Sequence, residues 1–246
     1  MRKLTTSTQP SEKRPSHIDS TIINASYPRS GNTFLNNIVS NYFLDDFVLF
    51  KQHSNEIISS NNQHTIADVN YVKTHDFELK GRAQFIDSFS SPVKFLIQIR
   101  HPLESISSYY EFALHHGDID TDSISNWNSF LFHRLEYWKS FCDRWTTGFE
   151  NDEYLVVKYE DLYNNTFSIS KKVIELMSSA DKFSSDRLNR AINDVKFLQY
   201  AQETNTLKKA KRDITQFRFF DLSQFREIES SLSDTYLDRL GIESVL

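Results

Sequence analysis

The chain has 246 residues, which suits one α/β domain with a sizeable core and leaves little room for a second. Lys plus Arg is 28 and Asp plus Glu is 33, so the formal net charge of −5 gives no global reason to expect nucleic acid or an anionic membrane as partner. One cysteine, Cys142, excludes a disulfide framework and a Cys-rich zinc module, and five glycines with five prolines exclude low-complexity and collagen-like classes.

Residues 1–20 are polar, hold two of the prolines and show no apolar period or secretory h-region; they read as a mobile tail before a domain over 21–246. No apolar run is long enough to span a bilayer, so the expectation is a soluble, cytoplasmic protein. Thr21–Ala25 predicts a short strand, and Phe34, Leu35, Ile38, Val39, Tyr42 and Phe43 form one helix face. Val69–Lys73 and Val93–Ile99 read as strands, the second introduced by Pro92. A helix follows from Pro102 to about His115, another spans Trp127–Trp145, and Tyr154–Lys158 predicts a buried strand. Helices are expected at Thr166–Met177, Arg187–Phe197 and Leu222–Leu240. This alternation predicts a mostly parallel sheet with helices on both faces, a three-layer α/β/α fold.

The first strand-to-helix turn, Tyr27-Pro28-Arg29-Ser30-Gly31-Asn32-Thr33-Phe34, is built for an anion. A helix start offers unpaired N–H groups and the positive end of the macrodipole. Gly31 lets backbone approach a phosphate, Ser30 and Thr33 add hydroxyls, and Arg29 adds a forked charge. The plainer reading is a turn capped by Ser30 or Asn32. A Walker A loop is excluded, because no glycine lies within four residues before Gly31 and no lysine follows it.

This segment resembles the 5′-phosphosulfate loop of the sulfotransferases that use 3′-phosphoadenosine 5′-phosphosulfate (PAPS), which reads Tyr-Pro-Lys/Arg-Ser-Gly-Thr/Asn-Thr-Trp/Phe after the first strand. Three further segments match in order. Lys73-Thr74-His75 closes the second predicted strand; His titrates near operating pH, and the resemblance makes His75 the base, with Lys73 and Arg29 steadying charge on the leaving phosphate. Arg100, at a strand end, precedes Ser108 in a Ser-Tyr-Tyr-x-Phe run; a guanidinium and a hydroxyl two turns into the next helix can meet on one anion, and the resemblance makes it the 3′-phosphate. Tyr159 opens Tyr-Glu-Asp-Leu and is implied to contact adenine, as are Phe197 and, in place of tryptophan, Phe34. The family's late Arg-Lys-Gly clamp has its nearest counterpart in Lys208, Lys209, Lys211 and Arg212, which otherwise read as a solvated face.

The resemblance therefore implies a P-loop-like sulfotransferase fold and transfer from PAPS to a hydroxyl or amine of a small-molecule, glycan or lipid acceptor, releasing 3′-phosphoadenosine 5′-phosphate (PAP). The cofactor residues are Arg29, Ser30, Gly31, Asn32, Thr33, Phe34, Arg100, Ser108, Tyr159, Phe197 and the late basic cluster. No metal is expected; His115, His116, Asp118 and Asp120 read as a loop around Gly117. The alternatives are a small-molecule or nucleotide kinase and a non-catalytic nucleotide-binding protein. Asn41–Asp68 and His115–Asn126 are the segments expected to shape the acceptor side.

Overall fold

The computed structural model describes residues 18–53, 56–59, 69–87, 89, 91–148, 154–201 and 212–246. Strand β1 (Thr21–Ser26) is buried along its whole length and leads into α1 (Asn32–Phe43). Then come β2 (Leu49–His53), β3 (Glu56–Ser59), β4 (Tyr71–Thr74), a single turn α2 (Ala83–Ile86), β5 (Val93–Ile99), α3 (Pro102–His116) and α4 (Ile124–Trp145). The second half carries β6 (Tyr154–Lys158), α5 (Tyr159–Asn164), α6 (Thr166–Met177), α7 (Ser185–Ala201), α8 (Leu222–Leu232) and α9 (Asp238–Leu240).

The sheet order is β3-β2-β4-β1-β5-β6. Five strands run parallel, and β3 closes one edge antiparallel to β2. Because strand side chains alternate faces, neighbours in β1 serve opposite cores. Ile23 and Ala25 join Trp127, Trp138 and Phe141 from α4 and Phe225 from α8 on one face. Ile22 joins Leu35, Ile38, Val39 and the apolar sides of α6 and α7 on the other. The expected three layers are therefore present, with both faces of the parallel sheet covered.

Four differences from the sequence reading have physical causes. The β2–β3 hairpin lies inside Asn41–Asp68, where the sequence reading places no strand. Asp19 and Ser20, read above as tail, pack on the domain: Ser20 is buried, Asp19 N–H donates to Met177 O at 2.8 Å, and the Asp19 carboxylate pairs with Lys182 at 2.7 Å. Tyr154–Lys158 forms β6 with the expected bounds, but as an edge strand only its Val157 is buried, and Tyr159 opens α5. Leu222–Leu240 is not one helix: a wide π turn at Ser233–Leu237 divides α8 from α9. Such a turn inserts a residue into the helical register while keeping Leu232 and Leu237 on the core side, so apolar period does not reveal it. No helix among the described residues is long and apolar enough to cross a membrane.

Candidate active site

In parallel α/β sheets, chemistry gathers where strand carboxyl ends meet helix amino ends. Here β1 ends at Ser26, and the next seven residues make a tight cradle. Two residues take left-handed backbone, Arg29 (φ 67°) and Gly31 (φ 83°). Gly31 is the N-cap of α1 and no side chain caps the helix, contrary to the expectation for Ser30 or Asn32. The first N–H groups of α1 thus point into the loop without intrahelical partners. A Cβ on Gly31 would come within 3.1 Å of both Leu162 and Tyr159, so glycine is required by backbone and packing together. Ser30 is fully buried, and its hydroxyl has no partner among the described residues.

Asn32 points its side chain elsewhere. It donates to Ser26 Oγ at 2.7 Å and accepts from Asn36 at 2.7 Å. This pair opens a buried polar network under the loop: Asn24 Nδ2 lies 2.7 Å from Gln98 Oε1 and 3.1 Å from Asn36 Oδ1, and Tyr71 donates to Asn36 at 2.6 Å. Gln98 in turn donates to Ser30 O at 3.4 Å. Buried groups so linked fix the loop against the sheet.

The end of β4 brings His75 to the end of β1. Its Nδ1 lies 2.7 Å from Ser26 O, a carbonyl that can only accept. Nδ1 therefore carries the proton, and Nε2 carries the basic lone pair. Two residues that sequence reasoning passed over hold this ring. Tyr137 on α4 donates to the His75 carbonyl. Asp76 turns the chain with φ 49°, and its carboxylate accepts from Lys80 N–H at 2.9 Å, Gly81 N–H at 2.8 Å and Trp145 Nε1 at 2.8 Å. Lys73 lies two residues before His75 in β4, in register with Asn24 of β1.

Across the loop stand two arginines. Arg29 Nε donates to Ser108 Oγ at 3.1 Å, and its guanidinium lies 4.9 Å from the centre of the Phe112 ring. Burial first, and then the neighbouring Arg100 charge, pull Arg29 below the usual arginine range. Arg100 is buried, bonds Glu104 at 3.1 Å and lies 4.2 Å over the Tyr159 ring. Ser108 thus meets Arg29 directly, whereas the spacing suggested a shared task with Arg100. Two adjacent guanidiniums, an unpartnered serine hydroxyl and an uncapped helix start are together able to receive an anion.

The sulfotransferase domain model matches residues 19–240, nearly the whole chain. The chain belongs to the sulfotransferase family. No curated protein sequence matches it closely enough to count as a relative. Among solved structures, mouse sulfotransferase SULT7A1 complexed with PAP superposes with a TM-score of 0.60 at 14% identity, covering 91% of this chain and 87% of its own. Retinol dehydratase, solved with androsterone and inactive cofactor PAP, gives 0.51 at 12% identity over 88% and 80%. At these identities the likeness establishes the shared fold.

The remaining predicted residues of this sulfotransferase fall in three groups. Tyr159 packs on the loop and on Arg100, and burial raises its hydroxyl above the usual value. Phe34 is half-buried and Thr33 exposed at the start of α1. Arg212 is not a loose surface charge: it pairs with Glu111 of α3, with one contact at 3.1 Å, bonds Gln216 O and lies 4.1 Å over Phe217. That pair borders a cavity of about 410 Å³ lined by Glu111, Leu114, His115, Asp122 and Arg218. The Phe197 side chain, Lys208, Lys209 and Lys211 lie outside the described residues. Among those described, no group of three His, Cys, Asp or Glu side chains could hold a metal ion.

Proposed function

We propose that this sulfotransferase moves a sulfuryl group from PAPS to a hydroxyl or amine of a small acceptor, with His75 as the base. The observation that carries the reading is the Arg29–Arg100 pair beside the uncapped start of α1. Arg29 has no carboxylate partner among the described residues, and Ser30 Oγ is buried without one. Both call for an anion with more than one charged end. PAP bound to the SULT7A1 and retinol dehydratase folds supports the choice of a 3′-phosphorylated adenosine nucleotide.

In this reading the α1 N–H groups, Ser30, Thr33 and Arg29 hold the 5′ end, Arg100 and Ser108 hold the 3′-phosphate, and Tyr159 with Phe34 flank the adenine. Lys208, Lys209 and Lys211, with Phe197, are proposed to complete the nucleotide side. When bound, PAPS supplies an activated sulfuryl group. His75 Nε2 takes the acceptor proton, while Nδ1–H stays on Ser26 O and keeps the ring in place. Arg29 and Lys73 supply positive charge where negative charge accumulates on the departing phosphate. Nothing in these steps requires a metal ion. The enzyme is expected to work as a cytoplasmic protein, its domain spanning 21–246.

Thermal shift separates this from a kinase. PAP should raise the melting temperature by several degrees without added metal, whereas ATP with magnesium should leave it nearly unchanged. The reverse ranking contradicts the proposal.

A further inference from the structure

Several arginines of the fold pair with a carboxylate. Arg100 has Glu104, Arg212 has Glu111, Arg218 has Asp122 and Arg239 has Asp143. Arg134 differs. It is half-buried on α4, and no carboxylate among the described residues pairs with it. Its guanidinium instead lies 4.8 Å over the Tyr109 ring of α3 and 5.2 Å over the Phe130 ring of its own helix. Those rings meet edge to face at 5.4 Å. Aromatic faces satisfy the flat sides of a guanidinium; its N–H donors point outward in the plane and still call for an oxygen pair.

The position of this cation ties it to the reacting end of the site. The Arg134 carbonyl accepts from Tyr27 OH at 3.0 Å, so α4 is fastened at this residue to the first position of the anion loop. One turn later Tyr137 donates to the carbonyl of His75. Tyr109 directly follows Ser108, the partner of Arg29. The Arg134 charge is felt by the hydroxyls of both Tyr27 and Tyr137. Beside His75 the wall is apolar: Phe77, 45% exposed, lies 5.4 Å from the imidazole and 5.7 Å from the Tyr137 ring. Along α4, then, the aromatic wall beside His75 is followed one turn away by the Arg134 guanidinium in the α3–α4 seam.

We infer that Arg134 is an acceptor-specificity residue: the enzyme prefers acceptors that carry, besides the reacting hydroxyl, an anionic oxygen group such as a carboxylate or a sulfate ester, held by the Arg134 guanidinium. This rests on the reading of His75 as the base. Anchoring the far end of the acceptor leaves its hydroxyl near Nε2 and reduces the orientational freedom lost at the transition state. A purely structural Arg134, riveting α3 to α4, would serve all acceptors alike.

The test uses the full chain, radiolabelled PAPS and two matched acceptor pairs. One is para-hydroxyphenylacetate against its neutral amide; the other is para-hydroxyphenyl sulfate against para-methoxyphenol. The anionic member should lead in kcat/KM by roughly 10- to 100-fold in at least one pair, chiefly through KM. Arg134→Gln should bring that ratio to about 1, and Arg134→Lys should restore part of it. PAP-induced thermal stabilisation verifies that each variant is folded. A ratio at or below 1 in both pairs, or one that Arg134→Gln leaves intact, overturns the inference. If none of the four is turned over, the same ratio is read as binding to the PAP-loaded protein. Failure to bind PAP at all would instead overturn the functional reading beneath it.

Discussion

His75 shows how surroundings prepare one side chain for the base role proposed for it. The Ser26 carbonyl at 2.7 Å selects the tautomer, and Asp76 and Tyr137 hold the backbone on either side of it. No carboxylate is needed behind the imidazole, because a neutral carbonyl fixes the proton on Nδ1 without raising the charge of the site. Ser30 illustrates the opposite economy. A buried hydroxyl without a partner costs stability in the free protein and is repaid only when an acceptor arrives. Ser30→Ala should therefore leave the melting temperature of the free protein unchanged or raised, while weakening PAP roughly tenfold by calorimetry. A variant that is less stable yet binds PAP normally would show that the hydroxyl has a structural partner instead.

Among the elements, the loop between β1 and α1 and the start of α3 matter most. Gly31 tolerates no Cβ, since its φ of 83° and its 3.1 Å approaches to Tyr159 and Leu162 both oppose one. Gly31→Ala should cost about 1–3 kcal/mol in chemical denaturation and also weaken PAP by displacing Tyr159. At the other end of the site, His101 follows Arg100 and is fully buried, its Nε2 3.0 Å from Glu229 of α8. Glu229 also accepts from Ser244 and from Val245 N–H, each at 3.0 Å. These partners, His101 first, hold the Glu229 carboxyl below its ordinary range despite partial burial. A depressed carboxylate contributes stability above its unfolded pKa and loses it as pH falls through the folded value. Glu229→Gln should thus lower the melting temperature by a few degrees near neutral pH, with the gap closing below about pH 4. A gap that persists undiminished at low pH would assign the effect to packing rather than charge.

Across the whole molecule, what was legible in the sequence follows contact range. The β1–loop–α1 unit could be read because its signals are local: an apolar strand, one glycine, and an i, i+4 apolar face. The strand ends carrying Lys73, His75 and Arg100 could be read for the same reason. The β2–β3 hairpin could not, because Leu49–His53 and Glu56–Ser59 are short edge segments whose pattern does not stand out from loop. Nor could the Asp76–Trp145 bond, which joins residues 69 apart, or the Asn24–Asn36–Tyr71–Gln98 network, whose members look like ordinary strand and helix polar residues until the sheet assembles. The pairing of Ser108 with Arg29 rather than Arg100 likewise depends on how α3 turns its side chains, which spacing alone leaves open. The basic cluster ending in Arg212 reads equally as a phosphate clamp or a solvated face in the sequence, and only the fold ties Arg212 to Glu111 and Gln216.

The fold brings one histidine, two arginines and an uncapped helix start to the carboxyl ends of the central strands, and we propose that together they transfer a sulfuryl group. The direct measurement is release of radiolabelled sulfate ester from labelled PAPS, by the parent and by His75→Ala, at matched PAP affinity. The parent should transfer label to a hydroxylated acceptor, and His75→Ala should be slower by about 10²- to 10⁴-fold while binding PAP as before. Equal rates from both proteins would contradict the account.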